Sequence, residues 1–129
     1  MQVPENAIDL RCFSTWPGEQ GIHRTRVKPA AEIVIEDAKA NSEAVNSFEL
    51  EKYPLIVDTS QIKSITKEAR DQFSMRGRES SVVAIAMIIK SPLSKIVGNF
   101  FMGLNKPRVP VRLFNDEESA KSWCKDFVN

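Results

Sequence analysis

Apolar and polar positions change period several times along the chain, and each change marks an element. Ala7 to Trp16 alternates loosely through Ile8, Leu10, Phe13 and Trp16, which suits a strand. Pro17-Gly18, with Gly21 nearby, signals a turn. Ile22 to Val27 alternates again, and its polar His23, Arg24 and Arg26 point to a hairpin arm at a sheet edge, where charge discourages mispairing. Pro29-Ala30-Ala31 ends it. From Glu36 to Leu50 the spacing becomes helical. Ile35, Ala38, Ser42, Val45 and Phe48 recur at three or four residues, and Glu36-Asp37 stand where a helix start favours negative charge.

The second half repeats the same change of period. Tyr53-Pro54-Leu55-Ile56-Val57-Asp58 is a short apolar run ending in an acid, as in a strand buried on both faces. Ser64 or Thr66 is placed to cap the next helix, which turns Ile65, Ala69 and Phe73 inward and stops near Gly77. Ser81 to Ile89 is the strongest strand signal. Ser91-Pro92 opens a further helix by a hydroxyl cap and a proline in the first turn. Leu93, Ile96, Val97, Phe100, Phe101 and Leu104 give it a broad apolar face, and Asn105-Lys106-Pro107 ends it. Val109 to Phe114 is the last strand, with Pro110 suiting a position beside an edge. Asn115 followed by Glu118 resembles a capping box for a closing helix with Ala120, Trp123, Cys124 and Phe127 on its inner side. The order β-β-α-β-α-β-α-β-α predicts one layered α/β domain over residues 1–129. Its sheet is expected to be mixed and mainly parallel, of about five strands, with an N-terminal hairpin and four helices.

Charge narrows the field. Lys plus Arg number 18 against 17 Asp plus Glu, so bulk charge gives no reason to expect nucleic acid. The distribution is uneven: residues 1–60 carry a net −4 and residues 61–129 a net +5. No acid stands between Ser80 and Asn115, while Lys90, Lys95, Lys106, Arg108 and Arg112 do. Charges partnering across the fold would account for this, as would a positive surface facing an anionic partner. One His and two Cys are too few for a four-ligand His/Cys zinc site, and no cofactor is expected. No basic-then-apolar leader opens the sequence and no apolar run is long enough to span a bilayer, so a cytoplasmic protein with reduced Cys12 and Cys124 is expected.

Leu55-Ile56-Val57-Asp58-Thr59-Ser60-Gln61-Ile62-Lys63-Ser64-Ile65-Thr66 resembles the central strand and following helix start of STAS domains, the anti-sigma-factor antagonist fold. More closely, the chain is similar to bacterial proteins described as STAS-like or CRAL-TRIO-like. The resemblance is carried by Ile65-Thr66-Lys67-Glu68-Ala69-Arg70, Ser91-Pro92, Gly98-Asn99-Phe100-Phe101, Asn105-Lys106-Pro107 and Ala120…Trp123, and covers residues 20–129. It implies a STAS-like fold and, for switch members of that superfamily, phosphorylation of a hydroxyl at the start of this helix. Aligned from Asp58, the family's Asp-Ser-Ser-Gly falls on Thr66-Lys67-Glu68-Ala69, so no serine stands at the acceptor place.

The chemistry-bearing residues each have a structural and a functional reading. Asp58, at a strand end where open α/β sheets bind ligands, would hold a ligand or a partner's cation, or accept amides of its own loop. Ser64 and Thr66 would accept phosphate at a helix N-terminus, or simply cap it. His23 is expected at the surface, and Cys12 and Cys124 in the core. Phe101 and Met102 widen the apolar arc of their helix beside Lys106, as a packed helix or as an apolar patch rimmed by cations. No constellation for catalysis emerges. The expected role is a non-catalytic binding or regulatory module that docks a protein partner, a second copy among the candidates, through Asp58, Ser64, Thr66, Lys67 and Arg70. Phe101, Met102 and Lys106 form a second patch, and peripheral membrane contact is compatible with it. The alternative is a small carrier of a lipid or other apolar ligand, which CRAL-TRIO similarity permits.

Overall fold

Alternation in the first thirty residues does make a hairpin, but one with an extra fold. The structure, a computed structural model, describes residues 1–48, 52–74, 81–103 and 109–128. Strand β1 (Ile8–Asp9) turns back on β2 (Phe13–Pro17), which pairs with β3 (His23–Val27), both antiparallel. The stretch read as one strand is therefore two. Leu10 N–H donates to Phe13 O at 2.8 Å, and Arg11 is drawn out of the strand to the Asp37 carboxylate, by Nε at 2.9 Å. At the β2–β3 turn Gly21 has φ of +73°, a left-handed value that glycine adopts without penalty.

Beyond the hairpin the strands run parallel. β4 (Glu32–Ile33) leads into α1 (Ile35–Asn46), then β5 (Tyr53–Asp58), β6 (Ser64–Ile65), α2 (Lys67–Ser74), β7 (Val82–Ile88), α3 (Pro92–Met102), β8 (Val111–Phe114) and α4 (Glu117–Cys124). Among the described residues the main sheet has six strands in the order β1-β2-β3-β5-β7-β8, and β4 and β6 form a separate parallel pair. This is the expected mixed, mainly parallel sheet with its hairpin and four helices, plus a short strand at one edge. Pro54 lies inside the central strand β5, at a shift of register against β7, where the missing ladder donor is accommodated.

The two faces hold different cores. Phe13, Val27, Ala38, Ala69, Met87 and Val97 join α1, α2 and α3 to one face. Ile22, Ile56, Ala86, Ile88, Ala120 and Cys124 seat α4 on the other. Ser91 caps α3 by accepting from Ser94 N–H at 3.1 Å, with Pro92 in the first turn, as the sequence suggests. The α4 cap is Asp116 rather than Asn115: its carboxylate accepts both the Ser119 amide at 2.7 Å and the Ser119 hydroxyl at 3.1 Å. Among the described residues no helix is long and apolar enough to cross a membrane.

Strand β3 departs most from expectation. It is not an edge but lies between β2 and β5, and His23 is 1% exposed. Its buried polar side chains find partners inside the sheet. The Thr15 hydroxyl donates to Arg24 O at 2.9 Å, leaving the Thr25 hydroxyl, 2.9 Å away, to donate to Thr15. His23 Nε2 lies 3.2 Å from the same Thr15 oxygen, and its ring packs against Phe48 and Tyr53. Arg24 donates to Ile22 O at 2.7 Å and faces Glu117 at 3.9 Å. A buried strand can carry such residues when each finds a partner.

Candidate functional site

The β5–α2 connection is built by backbone hydrogen bonds that leave few loose ends. Asp58, the last residue of β5, is buried, and its carboxylate accepts the Ser60 N–H at 3.0 Å. That is an Asx turn, which occupies one carboxylate oxygen within its own loop. Thr59 anchors the loop to β7: its N–H and hydroxyl both reach Ile88 O, at 3.1 and 2.8 Å. Gln61 O accepts from Ala30, while the amides of Lys63 and Ser64 donate to Ala31 O. The chain then enters β6, whose pairing with β4 sets Ser64 beside Glu32 and Ile65 beside Ile33.

Ser64 and Thr66 are thereby separated in role. Ser64 lies in β6 with an exposed side chain, two residues short of any cap position. Thr66 caps α2, its hydroxyl oxygen accepting from Ala69 N–H at 3.1 Å. Lys67 is exposed and pairs with Asp71 one turn on, at 3.4 Å. Arg70 is half-buried; its guanidinium lies over the Phe100 ring of α3, 5.1 Å from the centroid. Arg70 Nε is buried with no hydrogen bond among the described residues. Arg70 thus joins the start of α2 to α3, where the second patch was expected.

That patch is differently composed. Phe101 is partly buried and packs against the core with Leu93 and Val97, one helical turn apart each, so only part of it is left to a surface patch. Met102 is exposed, and Lys106, like Leu104, lies outside the described residues. Ile96, expected in the core, is 60% exposed. The helix is rotated because Gly98 lets it sit against Leu113: a Cβ there would stand 2.9 Å from Leu113 Cδ2. The outer stripe of α3 is therefore Lys95, Ile96, Asn99 and Met102. Sequence periodicity missed Ile96 because the apolar arc is wider than the face the sheet covers. Only the small residue at Gly98 hinted at the direction of closest approach.

The titratable groups that are perturbed lie elsewhere. Burial acts to raise the pKa of Asp37, but hydrogen bonds from Arg11 and the Val34 amide outweigh it, and the carboxyl is held below its ordinary range. Burial pushes the Cys124 thiol up to about 11, with Arg24 opposing, and raises Cys12 as well. Both thiols are buried and free, as expected from their positions. Among the described residues no group of His, Cys, Asp and Glu is placed to hold a metal ion. A shallow groove of about 370 Å³ runs between β8 and α4, lined by Arg112, Phe114, Ser119, Ser122, Trp123 and Asp126. It is open to solvent on one side.

Comparison with known proteins agrees with the geometry. Among solved structures, the chain is similar to an uncharacterized protein of the DUF3478 family with a SpoIIAA-like fold from Shewanella loihica PV-4. The TM-score is 0.59 at 15% identity, over 87% of this chain and 91% of that one. At this identity the likeness establishes the fold, which is STAS-like, and nothing of the role. No curated protein sequence matches the chain. The family model described as "Domain of unknown function (DUF7793)" matches residues 16–128, and the chain belongs to that family.

Proposed function

We propose that residues 1–129 act as one non-catalytic, cytoplasmic protein-binding or regulatory module that docks a partner at the start of α2 and along the outer stripe of α3. The observation that carries this reading is the Arg70–Phe100 contact, which makes the two candidate patches adjoin. Ser64, Lys67, Lys95, Ile96 and Met102 are exposed around it. Two apolar side chains among cations suit a partner surface bearing carboxylates beside an apolar residue. The rigid loop between Asp58 and Thr66 supports the same reading, since a preorganised surface loses little entropy on docking. A non-catalytic role is supported by the positions of the reactive side chains: His23 is enclosed in the sheet and both thiols are buried.

Affinity enrichment on the intact chain, followed by titration of the purified partner, tests the proposal. Lys67→Glu combined with Ile96→Glu is expected to weaken binding at least about ten-fold while leaving the circular dichroism spectrum unchanged. Equal binding by the double variant refutes it. The carrier alternative finds less support, because the α4–β8 groove is open and mixes Arg112 and Asp126 with its aromatic rings. A stoichiometric bound lipid in native mass spectrometry would reverse that ranking.

A further inference from the structure

We infer that the groove between β8 and α4 binds a small zwitterion, a free α-amino acid with an aromatic side chain. The groove follows from the position of β8 in the fold. β8 closes the sheet, and among the described residues no strand pairs with its outer side. Alternate residues of β8 share a face: Val111 and Leu113 join the α3 side, Phe114 and Arg112 the α4 side. Ala120 and Cys124 seat α4 on the sheet. The stripe beside them, Ser119, Ser122, Trp123 and Asp126, recurs at three or four residues and is left facing β8. The space between is about 370 Å³, enough for a small ligand.

The ligand class is argued from what the groove leaves uncompensated. Arg112 lies over Phe114, 5.4 Å from the ring centroid, which holds the guanidinium against the groove wall. Among the described residues neither Arg112 nor Asp126 forms an ion pair, with each other or elsewhere. Asp126 stands in the turn Lys125–Phe127 that ends α4, where the helix dipole already gathers negative charge. A carboxylate there is disfavoured until a cation joins it, and a ligand ammonium is drawn by both. Ser119 turns its hydroxyl to Asp116 at 3.1 Å, so Ser122 is the hydroxyl left for a ligand. A lone anion meets Arg112 but is repelled by Asp126, and a lone cation fares the reverse way. A neutral apolar ligand strips water from both charges. An α-amino acid carries its ammonium and carboxylate on one carbon, so a groove of this size can meet both. Trp123, half-buried and 5.8 and 4.8 Å from the Phe114 and Phe127 centroids, supplies aromatic surface for the side chain. This site is separate from the α2–α3 surface, and each can fail alone.

Titration of the full chain with L-phenylalanine, followed by amide chemical shifts, tests the inference. Saturable shifts confined to β8 and α4 are expected below about 10 mM. N-acetyl-L-phenylalanine lacks the cation and L-phenylalaninamide the anion, and each is expected to bind at least about ten-fold more weakly. Arg112→Gln is expected to weaken L-phenylalanine to the same degree and to spare L-phenylalaninamide. Asp126→Asn is expected to weaken L-phenylalanine and to spare the N-acetyl compound. Both side chains are exposed, so the variants are expected to keep the fold. The dipeptide phenylalanylglycine, with its charges a residue apart, is expected to bind less tightly than the free amino acid. Absence of saturable shifts overturns the inference, as do equal binding of the three phenylalanine compounds, tighter binding of the dipeptide, or variants that bind like the parent.

Discussion

Three single groups carry the local consequences of this fold. Thr66 satisfies an otherwise orphan amide at the start of α2, so Thr66→Ala is expected to cost about 1 kcal/mol in urea unfolding and Thr66→Ser very little. Asp37 accepts from Arg11 and from the Val34 amide at 2.9 Å, fastening the β1–β2 turn to the first turn of α1. Its pKa is lower folded than unfolded, so its stabilising contribution is full above the ordinary carboxylate value and is lost as pH falls through the depressed one. Asp37→Asn is therefore expected to flatten the acid limb of a stability-against-pH curve; an unchanged limb would remove Asp37 from that role. Cys124 is buried with its thiol pushed up to about 11, so it is expected to resist a thiol-specific reagent at neutral pH until the chain unfolds. Rapid labelling under native conditions would contradict its placement on the buried side of α4. His23 marks the limit of reading single residues. Nothing in its neighbours reveals that Thr15 and Tyr53 await it across two strand pairings.

Elements were legible where one periodic signal dominates. β5 and β7 stand within a residue or so of the apolar runs, and α3 begins at Ser91-Pro92 as its cap and proline imply. Legibility fails where a short segment owes its form to distant backbone. β4 and β6 have two residues each and exist because the amides of Ser64 and Thr66 find Ala31 and Ile33 carbonyls far back in the chain. The position of β3 was misread for a related reason: an arginine-rich strand looks like an edge until its internal partners are known. The β2–β3 turn, by contrast, is specified locally. A Cβ on Gly18 would stand 2.4 Å from Ile22 O, a backbone atom that cannot rotate away. Gly18→Ala is expected to destabilise by about 1–3 kcal/mol, measured by denaturant unfolding. Ile96→Gln, on the exposed side of α3, is expected to stay within about 0.5 kcal/mol of the parent.

Across the whole molecule, alternating helices and strands were enough to reach a mixed, mainly parallel sheet, because short parallel connections admit few topologies, and the resemblance carried by the Leu55–Thr66 stretch and the later motifs added the STAS-like fold. The candidate site was only half legible. Asp58 ends β5 and Thr66 opens α2, both engaged in holding their own loop and helix, while Arg70 lies within α2 against Phe100 of α3. Phe101 turns inward and Ile96 outward, an exchange decided by how close Gly98 brings α3 to β8. Docking through a preformed surface, rather than chemistry at the strand ends, is the claim that unites these observations. Titration of the purified partner against the parent chain and against Lys67→Glu/Ile96→Glu tests it most directly. Saturable binding by the parent, lowered at least about ten-fold in the variant at unchanged fold, is the expected result. Equal affinity of the two chains, or turnover of a small molecule abolished by Asp58→Asn, would contradict it.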